Sequence, residues 1–318
     1  MPDPHTFHAI DFDAYEPSKW SSNVYNLERL KVKQKLEALG RALGPELRTG
    51  AGAGSLAWEV SAEHPALWNN HQVRSQQLYF LRNEESRRQL SSRVTRSRPI
   101  SSLLDNPSPY REHIHLAVIL SQDGIDLGLR LTPEATVDYR NLLRKLENHW
   151  ESSKFQDILS DLPSTFSVRV LSEEPVPISQ LDPAGVAPRL KEAFDESSFQ
   201  SKDVVLSIDA SMDRGDPRLG SPAVLQSIKD AFSELMPLFE FIEWRRDNDY
   251  LEVQKEIEEE KQKARSKGLS AGDRVRVIEG MWAGKKGRVQ STDSRGQVKV
   301  VIGKITVQLD AGELVRAG

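Results

Sequence analysis

Two histidines one residue apart, His113 and His115, would project from one face of an extended strand, and two imidazoles so placed can begin a metal site. Asp123 and Asp126 follow close in sequence, but no third ligand stands at a recognisable spacing, so a structural role for the histidines remains open beside the metal one. The same choice arises for His5 and His8 in "HTFH" and for Asp11 and Asp13 in "DFDAY". In the latter, alternation with Phe12 and Tyr15 also suits a segment packing its aromatics. "GAGAG" (50–54) lacks the Lys-Ser/Thr that a phosphate loop needs, and no serine sits in a nucleophile elbow. With no cysteine in the chain, thiolate nucleophiles, thiolate metal sites and disulfides are excluded, which suits a reducing compartment. No residue therefore qualifies as catalytic, and no motif calls for a cofactor. Two stretches suit ligands better: "MDRGDPRLGSP" (212–222), a polar connection between predicted strand and helix, and the arginine-rich "RRQLSSRVTRSRP" (87–99), a phosphate contact or a solvated face.

The elements that would carry these residues are read from hydrophobic period. Val24, Leu27, Leu30, Leu36, Leu39 and Leu43 predict a helix over 22–43, closed by Gly44 and Pro45. Strands are expected at 56–61 and 77–82, then a helix beginning near Asn83. Two alternating runs, 113–120 and 125–131, flank "SQDG" and predict a hairpin. Thr132 with Pro133 would cap a helix whose face carries Val137, Leu142, Leu143 and Leu146. "TFSVRVLS" and "KDVVLSIDAS" read as strands, and residues 221–249 as a closing helix broken at Pro237. This mixture predicts an α+β domain over 1–248 with a mostly antiparallel sheet. Residues 249–267 are charged nearly all round and predict a helical spacer.

From residue 268 the character changes. Residues 268–318 hold nine Lys/Arg against five Asp/Glu, whereas the remainder holds 34 against 42, which points to different partners for the two parts. Val275, Val277, Val289, Val298, Val300, Val307 and Leu309 alternate with polar neighbours, as in a small antiparallel barrel, and "DSRG" (293–296) reads as a hairpin turn. "GDRVRVIEGMWAGKKGRV" resembles a KOW motif, and "VKVVIGKITVQLDAGELVR" resembles the second half of the C-terminal domain of NusG-type transcription factors. The resemblance implies a five-stranded SH3-like β-barrel that docks on RNA, a ribosomal protein or the transcription machinery. It implies a partner surface at Trp282 and at the loop Ile302, Gly303 and Lys304. Met281 departs from the family's proline, and Ile302 stands where an aromatic is common. Lys285, Lys286 and Arg288 lie beside Trp282, where an indole suits stacking on a base or filling an apolar pocket, and the cations suit phosphate contact or a solvated edge that discourages strand pairing. Trp282 plugging the barrel's end is the competing expectation. The stretch "HIHLAVILSQDGIDLGLRLTPEATVDYRNLLRKL" faintly resembles bacterial conserved proteins of unknown function, which implies no activity.

Two readings follow. One is a non-enzymatic interaction protein with a C-terminal docking barrel; the other is an enzyme acting on nucleic acid, its site in residues 1–248 and its barrel used for targeting. A barrel packed permanently on its own large domain is a third arrangement. The apolar runs 116–120 and 235–242 fall far short of the ~20 residues that span a bilayer. The N-terminus shows no signal-peptide pattern, so a cytoplasmic location without membrane partners is expected.

Overall fold

The computed structural model describes residues 4–48, 55–66, 69–97, 109–171, 173–195, 204–252, 269–278, 280–292 and 297–317. The chain divides into two compact units, one of residues 1–83 and 99–243, the other of residues 84–98 and 244–318. In this division the segment 84–98 goes with the C-terminal residues.

The first unit contains helices α1 (Ala9–Asp13) and α2 (Asn26–Leu43), followed by strands β1 (Ala57–Val60) and β2 (Ser75–Leu81). Helix α3 (Glu84–Ser97) belongs to the second unit. The predicted hairpin is present as β3 (His115–Ser121) and β4 (Gly124–Leu131), paired antiparallel. Helices α4 (Thr136–Leu146) and α5 (His149–Ser160) lead to β5 (Phe166–Val170) and the short β6 (Val176–Pro177). Helix α6 (Pro183–Asp195), strand β7 (Leu206–Asp213) and helix α7 (Ala223–Ile242) complete the unit. The sheet has seven strands in the order β1-β2-β3-β4-β7-β5-β6, and every pairing in it is antiparallel. Among the described residues no helix is long and apolar enough to cross a membrane.

One face of this sheet is the core side. Leu78, Phe80, Leu116, Val118, Leu127, Leu129, Val168 and Ile208 join a single buried cluster with Leu36 and Leu39 of α2, Leu190 of α6 and Phe232 and Phe239 of α7. The period of two along each strand puts alternate residues on the other face. Gly40 and Gly44 let α2 lie against β1, since a Cβ on either would stand 2.6 or 2.8 Å from the Trp58 ring.

Several expected details differ. Helix α2 buries Val32, Leu36, Leu39 and Leu43, but Val24, Leu27 and Leu30 are exposed. Stepping back one turn from Val32 reaches Arg29, not a leucine. That guanidinium is buried and donates to the carbonyls of Ala14, Lys19 and Ser22, tying the N-terminal segment to the helix. Thr132 does not cap α4: its hydroxyl donates to the Arg111 carbonyl, and the helix starts at Thr136 with Ala135 as its cap residue. Helix α7 runs through Pro237 without a break. Leu235, Leu238 and Phe239 are buried around the proline, and such packing offsets the ~3 kcal/mol a helix-interior proline costs. Helices α5 and α6 carry no expectation from the sequence reading, although Asn148 caps α5 by accepting from Trp150 and Glu151 N–H groups.

The second unit contains β8 (Arg274–Val277), β9 (Lys286–Thr292), β10 (Gln297–Ile302), β11 (Ile305–Asp310) and β12 (Leu314–Arg316). They form a five-stranded antiparallel sheet in the order β11-β10-β9-β8-β12, around a core of Val275, Val277, Val289, Val298, Val300 and Leu314. The "DSRG" turn and most of the expected spacer helix lie outside the described residues. In the described start of that spacer, 249–252, Tyr250 and Leu251 form a turn, with Asp249 accepting from Trp244 Nε1 and the Leu251 N–H.

Candidate functional site

The outward face of β8 and β9 is cationic for a reason visible in the register. Val275, Val277 and Val289 point into the core, so Arg274, Arg276, Lys286 and Arg288 point out. The ladder then sets Arg274 directly opposite Arg288, and Arg276 directly opposite Lys286. Like charges facing one another across a ladder destabilise it. Asp273 neutralises Arg316 instead, at 2.6 Å. Arg274, Lys286 and Arg288 have no ion pair among the described residues, and all three are exposed.

These cations line a concavity of about 680 Å³ with Gln290, Val301 and Gly303. Gly287, opposite inward Val275, faces the core, where a Cβ would meet Val300 at 2.5 Å and the Val301 carbonyl oxygen at 2.7 Å, so β9 lies close on β10 at this point. A shallow groove with three solvated cations is suited to an anionic chain.

Of the residues expected on a partner surface, Lys286, Arg288 and Gly303 come together in this groove, with Arg274 added. The sequence reading missed Arg274; its place just before inward Val275 in the alternation is the signal that could have found it. Lys285 and Lys304 are exposed but do not line the groove. Trp282 is half-buried and packs, with Ile302, Val307 and Ala311, against the core of the unit. The side chain presented to solvent in that loop is Met281, 71 % exposed. Ile305, at 53 %, follows the Gly303–Lys304 turn, where Gly303 adopts φ 63°.

His113 and His115, in the first unit, are placed otherwise than an open metal site requires. His113 precedes β3, and both rings are buried. His115 Nδ1 lies 3.0 Å from the His113 carbonyl oxygen, and its ring meets the edges of Tyr79 and Tyr110, which stack at 3.8 Å. Burial, with Arg130 and Arg111 nearby, pushes its imidazole down to about 4. Asp126 pairs with Ile119 across the hairpin, several residues from His115. Among the described residues no group of three or more His, Asp or Glu is arranged to hold a metal.

Asp11 accepts from the His8 N–H and from Lys35 Nζ, and Phe12 and Tyr15 are buried. Within 212–222, Arg214 pairs with Asp13 at 2.8 Å and the Phe7 N–H bonds the Leu219 carbonyl, so this connection clamps the N-terminal segment. In the arginine-rich run, Arg88 pairs with Glu84; the side chains from 91 onward and the "GAGAG" stretch lie outside the described residues.

No protein-family model matches the chain, and no curated protein matches it.

Proposed function

We propose that the protein is a non-enzymatic interaction protein whose C-terminal unit is a KOW-type SH3-like barrel docking on the phosphate backbone of RNA. The observation that carries this reading is the cross-strand opposition of Arg274 and Arg288, both without an ion pair among the described residues. A fold that bears such repulsion gains from a polyanion, since each phosphate neutralised releases counterions. Lys286 extends the same strip, and Val301 gives it an apolar margin beside Arg288. Trp282 stabilises this unit from within, so the partner surface lies on the β8–β9 face and not at the indole.

The test is fluorescence anisotropy of a labelled single-stranded RNA with the full-length chain at several salt concentrations. The reading expects saturable, salt-sensitive binding that weakens at least about tenfold in the Arg274→Glu/Arg288→Glu variant. Unchanged affinity in that variant would sink it. Capture of ribosomal or transcription proteins that survives ribonuclease would move the assignment to a protein partner.

A further inference from the structure

The face of the seven-stranded sheet opposite the core is not uniform. Over β2 and β3 it is apolar, with Tyr79, Leu81 and Ala117 packed against Tyr110 and Ile119. Over β4, β7 and β5 it becomes a concavity of about 690 Å³ lined by charged and hydroxylated side chains. That volume falls within the range of small-molecule sites, but the lining is far more polar than usual.

The register arranges these side chains in rows. Asp126 stands opposite Ser211, and the serine hydroxyl donates to it at 2.6 Å. In the next row Gly128, Asp209 and Ser167 lie side by side, and in the third Arg130, Ser207 and Arg169. One end of the concavity is therefore carboxylate and hydroxyl, the other guanidinium and hydroxyl. Arg130 is 11 % exposed and uses Nη1 alone, toward Asp209 and the Leu129 carbonyl. Its other N–H donors have no partner among the described residues. Arg169 is exposed and likewise has no ion pair there. Adjacent strands are ~4.8 Å apart, so the two arginines flank Ser207 at a spacing that lets both long side chains reach one anion above it.

We propose that this concavity binds a phosphorylated polyol, its phosphate between Arg130, Ser207 and Arg169 and its hydroxyls donating to Asp126 and Asp209. Two guanidiniums beside a hydroxyl match the acceptor oxygens of a phosphomonoester. Carboxylates repel the phosphate but accept from sugar hydroxyls, so the two ends fix one orientation. Successive rows are two residues, ~6.8 Å, apart along the strand, which suits a short sugar. The site lies wholly within the first unit and is independent of the RNA reading.

Titration calorimetry of the full-length chain tests it, with ribose 5-phosphate, ribose and inorganic phosphate as separate probes. Saturable binding of ribose 5-phosphate is expected, with the other two at least about tenfold weaker. Arg169→Ala and Asp126→Asn should each weaken it by about tenfold or more, while Arg274→Glu/Arg288→Glu leaves it unchanged. Tighter binding of a nucleoside 5′-monophosphate would support the site and narrow the ligand to nucleotides. No saturable binding, insensitivity to both substitutions, loss in the C-terminal variant, or phosphate binding as tightly as ribose 5-phosphate would each overturn the proposal. Arg169 is exposed, so its removal tests the site without testing the fold.

Discussion

Gly128 of β4 stands directly opposite Asp209 of β7, and the space a side chain would need there is filled by the Arg130–Asp209 ion pair. A Cβ on Gly128 would meet Asp209 Oδ1 at 2.0 Å, Arg130 Nη1 at 2.6 Å and the Ile208 carbonyl oxygen at 2.6 Å. The two side-chain contacts can yield, but the carbonyl belongs to the ladder itself. We predict that Gly128→Ala destabilises the first unit by about 1–3 kcal/mol, seen as a lower unfolding temperature, and disturbs Arg130. A variant as stable as the parent would show that the strands adjust freely.

A second ion pair lies in the interior. Arg82 and Asp138 are 2 % and 0 % exposed. Asp138 also accepts from the Ile114 N–H at 2.9 Å, while Glu243 stands 3.7 Å from Arg82 Nε. Removing Asp138 takes the nearer carboxylate from the buried Arg82 and leaves it only the more distant Glu243, while the Ile114 donor loses its acceptor. Asp138→Ala should therefore cost about 3–5 kcal/mol in urea unfolding. Asp216→Ala, which breaks the solvated Asp216–Arg218 pair, should cost no more than about 1 kcal/mol. Equal costs would contradict this account.

His115 predicts a pH dependence. Its folded value, about 4, lies below the ordinary 6.5, so between those limits the unfolded chain binds a proton that the folded one does not. Stability is complete above pH 6.5 and falls as pH drops toward 4, by on the order of 3 kcal/mol from this group. Asp209 acts oppositely. Burial raises its carboxyl despite Arg130, so above the ordinary carboxylate range it is the folded state that holds the proton more, and this group contributes less as pH rises. His115→Gln should flatten the acid side of the stability profile, whereas Asp209→Asn should steepen it. Chemical denaturation from pH 4 to 7 separates the two.

Legibility from sequence follows the strength of each local signal. The β3–β4 hairpin was readable because alternation and the Asp-Gly step agree, and the structure has it as expected. The start of α4 was misread because Thr132, a good cap by type, bonds a distant carbonyl at Arg111. On α2, leucines at near-helical spacing hid the fact that Arg29 occupies the buried phase. Of the β8–β9 groove, Lys286 and Arg288 were legible, but its coherence needed the register that sets Arg274 opposite Arg288. The polar concavity over β4, β7 and β5 was not legible. Its members are spread from 126 to 211, and each alone looks like the solvent side of a strand.

The last prediction separates binding from folding in the C-terminal unit. Trp282 packs against the core with Ile302 and Val307, whereas Arg288 is exposed and lines the groove. Trp282→Ala should lower the unfolding temperature through lost packing, at a cost of about 2–4 kcal/mol, while Trp282→Phe restores much of it. Where Trp282→Ala remains folded, its RNA affinity should stay close to that of the parent. Arg288→Ala should do the reverse: leave stability within about 0.5 kcal/mol, or raise it by relieving Arg274, and weaken RNA binding. If Arg288 meets one phosphate, the slope of log affinity against log salt becomes shallower by about 0.7 for a single strand. An unchanged slope with reduced affinity would mean that Arg288 contacts something other than phosphate. A folded Trp282→Ala variant that lost binding would move the partner surface back to the indole.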